Sequence, residues 1–452
     1  MNNQSLKEKL QSLQCPFTWH FEVKDKVEVG HVLQRLALRL DHTTFPNRGT
    51  YLAMKAYLHH LQEDYSEALK SLQEAEEVLQ EDHPTNISRQ VLVTYGNFAW
   101  IYYLLTNYEK VEHYLEKIHK ICQALSSPEP YSVAIPEIQA QKGWSLLTWG
   151  FRNGPEAIKC FQLALRGDES NREFQAGLAY SVYAFCCLNL EEDMKETQTF
   201  LEEVLVRQPQ NAEAKVFLAN VIWIKNQRGV KEELERAKSL VEDVVQNSLN
   251  PEVLRNAAKV CVSLPLSLSQ AISVLKKAIA LSPSYHLLYY DLGLCYKKQM
   301  KKASPGKREE LVAAAIESFK QSLEKDPASV FSQLELAKLY GEKSLAYVEE
   351  IYQNLMEDLP KLSQRCQQAI YLHWGDFLLH KKGKKEEALE MYTKGLQISG
   401  GHGKERWLLR GRLLSLAKLF QEESQGDQAK AIREMVGSLY GDESGRVLQG
   451  GK

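Results

Sequence analysis

The sequence predicts an all-α protein built as a solenoid of stacked helix pairs. Two observations support this fold class. Apolar residues recur with the 3.6-residue period of a helix across residues 52–439, and no run of alternating apolar and polar residues indicates a strand. The periodic stretches also come in pairs, each separated by a short turn. Because one helix pair cannot bury its apolar face alone, neighbouring pairs are expected to stack on one another.

The pattern is clearest at residues 93–118. Two helices are predicted there, with a turn near Thr106 and Asn107. Their apolar faces carry Tyr95, Phe98, Ala99 and Tyr102 on the first helix and Val111, Leu115 and Ile118 on the second. This order of large and small residues is typical of a tetratricopeptide unit, which repeats about every 34 residues. The sequence therefore predicts a tetratricopeptide-repeat superhelix, an α-solenoid.

Three regions are predicted along the chain. Residues 1–245 hold amino-terminal repeats with capping helices, 246–440 hold the middle and carboxy-terminal repeats, and the Gly-rich stretch 441–452 is a flexible tail. The aromatic segment at 15–19 is interpreted as an apolar plug that caps the first repeat. A basic insertion containing Pro305-Gly306 is predicted at 300–310.

Composition and charge narrow the classes of function. The 452 residues are 44% apolar and 25% charged, which is ample for a large core and excludes disorder as the main state. The formal net charge of -2 gives no global attraction for nucleic acid. Any anion binding must therefore come from a local group of Lys and Arg side chains.

The eight cysteines are scattered through apolar stretches without a Cys-x-x-Cys pair, which indicates reduced core cysteines of a cytoplasmic protein. No stretch approaches the ~18 apolar residues of a membrane span, and the amino terminus lacks a secretory pattern. No catalytic or metal-ligand spacing stands out, and the adjacent His59 and His60 would diverge by about 100° on a helix. We predict no enzyme activity, no cofactor, no metal and no membrane partner.

Five segments carry a resemblance to a known family. They are CPFTW at 15–19, QVLVTYGNFAWIYY at 90–103, PEIQAQKGW at 136–144, VLRNAAK at 253–259 and LGLCYKKQM at 292–300. In this order they resemble landmarks of the interferon-induced proteins with tetratricopeptide repeats, the IFIT family, and the chain resembles a divergent member. The resemblance covers most of the chain to about residue 399.

The resemblance implies an interferon-induced, cytoplasmic antiviral effector without enzyme activity. Several members of this family hold the 5′ end of single-stranded RNA in a basic central tunnel. Others act by assembling with related repeat proteins or with host signalling proteins, as homo- or hetero-oligomers.

The sequence departs from the family at positions that meet the terminal phosphates. A family lysine is Thr148 here, a tyrosine is Gly154, an arginine is Ala184, and a His-Gln pair is Tyr290-Asp291. A triphosphate inside a desolvated tunnel needs several fixed cations and donors. We therefore expect triphosphate and hydroxyl ends to bind with affinities within about tenfold of each other, a difference of ~1.4 kcal/mol.

Trp144, Arg255 and Lys259 match the family, and Arg35 lies close to a family glutamine. Together with Tyr290, which replaces a family histidine, they form the candidate RNA-binding set. Four of the five also have a purely structural interpretation. Trp144 and Tyr290 fit the core of a repeat, while Arg255 and Lys259, one turn apart on a helix, fit a solvated face. Lysine groups at 297–307 and 381–385 are typical of solvated turns.

Two functions of different classes follow. The first is binding of single-stranded RNA, in its 5′-end region, within the inner channel of the superhelix. The alternative is a protein-interaction scaffold of innate immunity without tight binding of RNA 5′-triphosphate, which the lost phosphate-binding residues favour. A co-chaperone clamp is disfavoured because the sequence lacks its pattern of basic and Asn residues in consecutive repeats.

Overall fold

The structure is a computed structural model that describes residues 3–22, 26–43, 45, 47–186, 194–226, 230–264, 268–341, 344–400 and 403–441. Within these residues the chain forms 23 α-helices and three short 3-10 helices, and no β-strand. The predicted all-α tetratricopeptide solenoid is confirmed. Gly441 ends the last helix, and the rest of the predicted tail, 442–452, lies outside the described residues, as does Cys187.

The chain divides into two compact units, Met1–Leu266 and Ser267–Lys452. The first unit contains fourteen of the helices in the described ranges. They are α1 Asn3–Gln11, α2 Lys26–His42, α3 Arg48–Leu61, α4 Tyr65–Asp82, α5 Ile87–Gln90, α6 Leu92–Leu104, α7 Tyr108–Ala124, α8 Pro136–Trp149, α9 Gly154–Gly167, α10 Arg172–Cys186, α11 Met194–Arg207, α12 Ala212–Lys225, α13 Lys231–Asn247 and α14 Pro251–Ser263. The division at 245/246 stays a prediction; helix α14, which follows it, packs on α12 and α13.

The described part of the second unit contains nine helices. They are α15 Leu268–Leu281, α16 His286–Met300, α17 Pro305–Lys325, α18 Val330–Tyr340, α19 Leu345–Glu357, α20 Gln364–Lys381, α21 Lys385–Gln397, α22 Gly403–Glu422 and α23 Gly426–Gly441. The basic insertion was predicted to extend to residue 310, but Pro305 already opens α17. The reason is that proline fits the first turn of a helix, where its missing N–H has no partner to lose.

Helix pairs stack in the first unit as a tetratricopeptide solenoid requires. The pairs α3/α4, α6/α7, α8/α9, α10/α11 and α12/α13 pack as hairpins. The first helices of successive pairs also contact one another, from α3 through α8, α10 and α12 to α14. In a curved stack of this kind the first helices line the concave surface. Helix α2 packs on α3, α8 and α14, so it lies across that surface.

An aromatic side chain of the second helix fills the space beside a glycine of the first. In the pair α8/α9 the fully buried Phe161 lies between Gly143 and Gly177. A Cβ atom at Gly143 would be 2.7 Å from the Phe161 ring, and one at Gly177 would be 2.2 Å from it. These distances are shorter than any real contact of a Cβ atom, so both glycines are required by close helix approach.

The second unit repeats this arrangement. Fully buried Phe319 of α17 lies against Gly293 of α16, and fully buried Tyr392 of α21 lies against Gly375 of α20. A Cβ atom at these glycines would approach the rings to 2.7 Å and 2.5 Å respectively. The same contact thus sets the spacing of hairpins in both units.

The amino-terminal plug packs as the sequence predicted. Phe17 stacks on Trp100 of α6, with ring centroids 5.6 Å apart, and meets Tyr57 of α3 edge-on at 5.1 Å. The indole N–H of Trp100 donates to the carbonyl oxygen of Leu10 at 3.1 Å. Residues 15–19 therefore cover the apolar ends of the first two hairpins.

We predict that Gly177→Ala destabilises the protein. The new methyl group would overlap the ring of Phe161, and overpacking of this kind costs roughly 1–3 kcal/mol in the free energy of unfolding. Gly30→Ala is the matched control, because its Cβ atom would lie 3.9 Å from Gln62 in ordinary contact. That change should stabilise the chain by roughly 0.5–1 kcal/mol through helix propensity. Urea denaturation followed by circular dichroism measures both, and equal stability of the two variants would contradict the packing described here.

Candidate functional site

Helix α2 presents two arginines to the concave surface of the first unit. Its buried face carries Val29, Val32, Leu36 and Leu40. Arg35 and Arg39, four residues apart, therefore share a face beside this apolar stripe. The Arg35 guanidinium donates to the carbonyl oxygen of Thr148 in α8 at 3.1 Å.

A second anchor of α2 comes from the connection between α8 and α9. The guanidinium of Arg152 pairs with the carboxylate of Glu28 at 2.7 Å. Burial lowers the pKa of Arg35. The charge of Glu28 opposes this effect, whereas the charge of Arg152 adds to it. Since Arg35 is nevertheless exposed, it reaches solvent from within a concave surface.

Arg39 occupies the centre of this surface. Its guanidinium lies 5.0 Å from the ring centroids of both Phe45 and Tyr51, close enough for cation–π attraction. Its Nη2 atom is 3.7 Å from Oε1 of Glu213 in α12. Burial alone would lower the pKa of Arg39, but Tyr51, Glu213 and Glu252 around it raise the pKa above its usual value.

The carboxylates of this surface come from successive first helices. Glu173, Glu213 and Glu252 are each the second residue of their helix, in α10, α12 and α14. Burial raises the pKa of both Glu173 and Glu213. The hydrogen bond from Trp144 opposes this effect at Glu173, and the charge of Arg39 opposes it at Glu213. Glu252 lies 3.5 Å from Arg255, whose side chain is 12% exposed.

We call this surface the α2 groove. Among the described residues, four arginines and four glutamates lie along it, and the formal charges of these eight side chains balance. They are Arg35, Arg39, Arg152, Arg255, Glu28, Glu173, Glu213 and Glu252.

Arg255 and Lys259 lie on α14, which packs on α2. Because Glu252 acts on both Arg39 and Arg255, the structure brings Arg255 to the α2 groove beside the α2 arginines. Lys259 is exposed one turn further along α14. Of the predicted set, Arg35 and Arg255 therefore line one surface.

Trp144 lies in the core beneath the groove. It is only 5% exposed, and its ring meets Phe161 edge-on at 4.9 Å and Tyr180 at 6.2 Å. Its indole N–H donates to the carboxylate of Glu173 at 3.0 Å. These contacts favour the structural interpretation of Trp144, since almost none of its ring is open to a stacked base.

Tyr290 belongs to the second unit. It lies on α16 and packs against Phe319, with ring centroids 5.9 Å apart. Its ring therefore contributes to the hairpin α16/α17.

The positions that depart from the family are filled by local packing. The Thr148 hydroxyl donates to the carbonyl oxygen of Trp144 at 3.1 Å. A Cβ atom at Gly154 would lie 3.1 Å from Cβ of Phe185, so a tyrosine has no room there without movement of α10. Ala184 is 2% exposed within α10.

The sequence analysis missed the acidic side of the groove. An acid at the second position of a helix is common, because it stabilises the helix amino terminus, so no single glutamate stood out. The signal was its recurrence in consecutive first helices, at Glu173, Glu213 and Glu252.

The second unit has a polar cluster on its own first helices. Glu335 of α18 pairs with Lys297 of α16 and, at 2.8 Å, with Lys338. Nearby, His373 of α20 has its pKa lowered to about 3, first by burial and then by the charge of Lys338. Asp376, also on α20, accepts hydrogen bonds from Arg412 at 2.7 and 3.2 Å.

Among the described residues, no group of three or more His, Cys, Asp or Glu side chains is placed to hold a metal ion. In the same part of the chain, every helix is too short or too polar to span a membrane. No disulfide joins any of the seven cysteines that the structure describes, and six of them are buried.

We predict that His373→Gln makes folding stability less sensitive to acid. The folded histidine has a pKa of about 3, against 6.5 for an unperturbed ring, so the unfolded chain takes up the proton first. Wild-type stability should therefore fall as the pH drops from 6.5 towards 3, and the variant should lose less. Urea midpoints at pH 7 and pH 5 measure this. His380→Gln, exposed on the same helix, is the control and should follow the wild type; an identical loss in all three proteins would refute the prediction.

Proteins of known name are similar to this chain in sequence. No family model matches the chain. The human antiviral innate immune response effector IFIT1 is 32% identical over 411 residues, which cover 88% of this chain and 84% of that protein. Human interferon-induced protein with tetratricopeptide repeats 2 is 27% identical over 436 residues, covering 94% of this chain and 90% of that protein.

Solved structures of human IFIT1 have a similar fold. The human IFIT1 dimer with m7Gppp-AAAA superposes with a TM-score of 0.70 at 29% identity, over 98% of this chain and 97% of that chain. The human IFIT1 dimer with PPP-AAAA has a TM-score of 0.68 at 29% identity, over 97% and 96% of the two chains. With this identity over most of both lengths and the same repeat fold, the chain belongs to the interferon-induced proteins with tetratricopeptide repeats.

Proposed function

We propose that this protein is an interferon-induced, cytoplasmic antiviral effector that binds single-stranded RNA, in its 5′-end region, through the α2 groove. Binding rather than catalysis is the proposed activity, without a cofactor or metal. Related proteins support it: IFIT1 is named an antiviral innate immune response effector, and its solved structures contain PPP-AAAA or m7Gppp-AAAA.

The observation that carries the proposal is the convergence of arginines in the α2 groove. Arg35 and Arg39 come from α2, Arg152 from the α8–α9 connection and Arg255 from α14. Guanidinium groups suit phosphate, because their fixed N–H donors match its oxygens. A concave surface that carries several of them can follow the backbone of a single strand.

The groove should bind RNA with little preference for a triphosphate end. Each of the four glutamates lies near an arginine or a polar side chain, so only part of the positive charge faces a ligand. Thr148, Gly154 and Ala184 supply no cation where the family resemblance places its phosphate-binding residues. Affinity then depends on a few phosphates along the strand.

The rival function is a protein-interaction scaffold of innate immunity. The balanced charge of the α2 groove and the burial of Trp144 favour it. Its partners would be related repeat proteins, in homo- or hetero-oligomers, or host signalling proteins. The two functions differ in one simple respect, which is whether the purified chain binds RNA.

We predict that Arg255→Ala combined with Lys259→Ala weakens RNA binding and flattens its salt dependence. For single strands, log affinity falls by about 0.7 per neutralised phosphate for each decade of salt. Loss of two cations should therefore reduce the slope by about one to two units and weaken every RNA sequence alike. Electrophoretic shifts with one 5′-hydroxyl RNA over a salt series measure the slope.

Arg166→Ala combined with Lys159→Ala is the matched control. Both residues are exposed on α9, a second helix, and their removal changes the net charge equally. This control should bind like the wild type. Equal slopes in all three proteins would show that RNA does not meet α14, and absence of RNA binding by the wild type would favour the scaffold.

A further inference from the structure

Glu213 differs from an ordinary acid at a helix amino terminus. Glu137 holds the same second position in α8, and its carboxylate is paired with Arg89 at 2.6 and 2.9 Å in a structural ion pair between α8 and α5. Glu213 instead points at Arg39 of α2, and its side chain is 30% exposed. It therefore reaches the solvent of the α2 groove.

Arg39 has little freedom to leave Glu213. Its guanidinium is held near the rings of Phe45 and Tyr51, at 5.0 Å from each centroid. A second carboxylate, Glu252, also acts on it. Arg39, which comes from the helix that lies across the concave surface, is thus already neutralised within the protein.

A phosphate that approaches Arg39 must replace Glu213 or lie beside it. In a surface partly shielded from water, two negative charges repel more strongly than they do in bulk solvent. The repulsion grows with the charge of the ligand. A 5′-triphosphate carries several negative charges on neighbouring groups, whereas a 5′-hydroxyl carries none.

We propose that Glu213 is a specificity-determining residue, which disfavours RNA 5′ ends that carry several phosphates relative to hydroxyl ends. The proposal rests on the proposed function, because it concerns the same groove. It assigns to Glu213 a role in discrimination between ligands, beyond the ion pair that helps to hold α2.

Glu213→Gln tests the proposal, because glutamine keeps the shape and removes the charge. Affinities are measured for two RNAs of one sequence, one with a 5′-triphosphate and one with a 5′-hydroxyl. The ratio of the two affinities should shift by at least about tenfold towards the triphosphate, because like charges that face each other at a binding surface repel by up to several kcal/mol. Glu213→Asp keeps the charge and should keep the wild-type ratio.

Glu156→Gln is the matched control. Glu156 lies on α9 and pairs only with Lys159 among the contacts described for it, with a side chain 63% exposed, so the ratio should not change. If Glu213→Gln weakens both RNAs equally and leaves the ratio unchanged, Glu213 is only a structural ion pair and the proposal is overturned.

The wild-type protein alone provides a second test, which compares its affinities for two RNAs. Its affinity should not rise by more than about tenfold from the 5′-hydroxyl to the 5′-triphosphate RNA, a difference of ~1.4 kcal/mol. A larger preference for the triphosphate overturns the proposal even if Glu213→Gln fails to fold. Binding of the 5′-hydroxyl RNA by the wild type separates the two proposals: with such binding the proposed function stands whatever the ratio, and without any RNA binding both fall.

Discussion

Contact between a buried aromatic ring and a glycine determines how closely the helices approach one another in three hairpins of this protein, α8/α9, α16/α17 and α20/α21. The ring of Phe161 on α9 makes this contact twice. It fills the space beside Gly143 of α8 and beside Gly177 of α10. Phe319 and Tyr392 repeat the contact in the second unit. Because the Phe161 ring leaves no room for a Cβ atom at either glycine, α8 and α10 come close together. The α2 groove depends on this close stacking, since α8 holds α2 through Thr148 and α10 supplies Glu173.

Helix α2 supplies two of the arginines that make the concave surface a candidate binding site. Its apolar stripe binds to the first helices, and the face beside that stripe then holds Arg35 and Arg39 in the groove. Glu213 and Glu252, at the second position of α12 and α14, act on Arg39. Glu173, at the same position of α10, accepts a hydrogen bond from Trp144 instead. Their position stabilises each helix amino terminus. The same position also decides how much positive charge the groove can offer a ligand.

The sequence predicted the helix pairs because a 3.6-residue period is local and can be read from any short window. Small residues such as Gly143 and apolar ones such as Phe161 could be assigned to the core for the same reason. The groove was predictable only in part. Arg35 and Arg255 were identified through family resemblance, whereas Arg39 and Glu213 are far apart in the chain, and no local pattern indicates that they meet. Trp144 shows a different limit, since its spacing fits both a stacking ring and a core ring, and only the structure shows it to be 5% exposed.

Hydrogen–deuterium exchange of the full chain, with and without a 5′-hydroxyl single-stranded RNA, tests most directly whether the α2 groove is the binding surface. Bound RNA should restrict the opening of the helices it covers. The expected result is slower amide exchange in α2, Lys26–His42, and in α14, Pro251–Ser263, with no change in the second helices α4, Tyr65–Asp82, and α7, Tyr108–Ala124. Protection confined to α4 and α7, or no protection in α2 and α14 at RNA concentrations that saturate binding, would contradict this account.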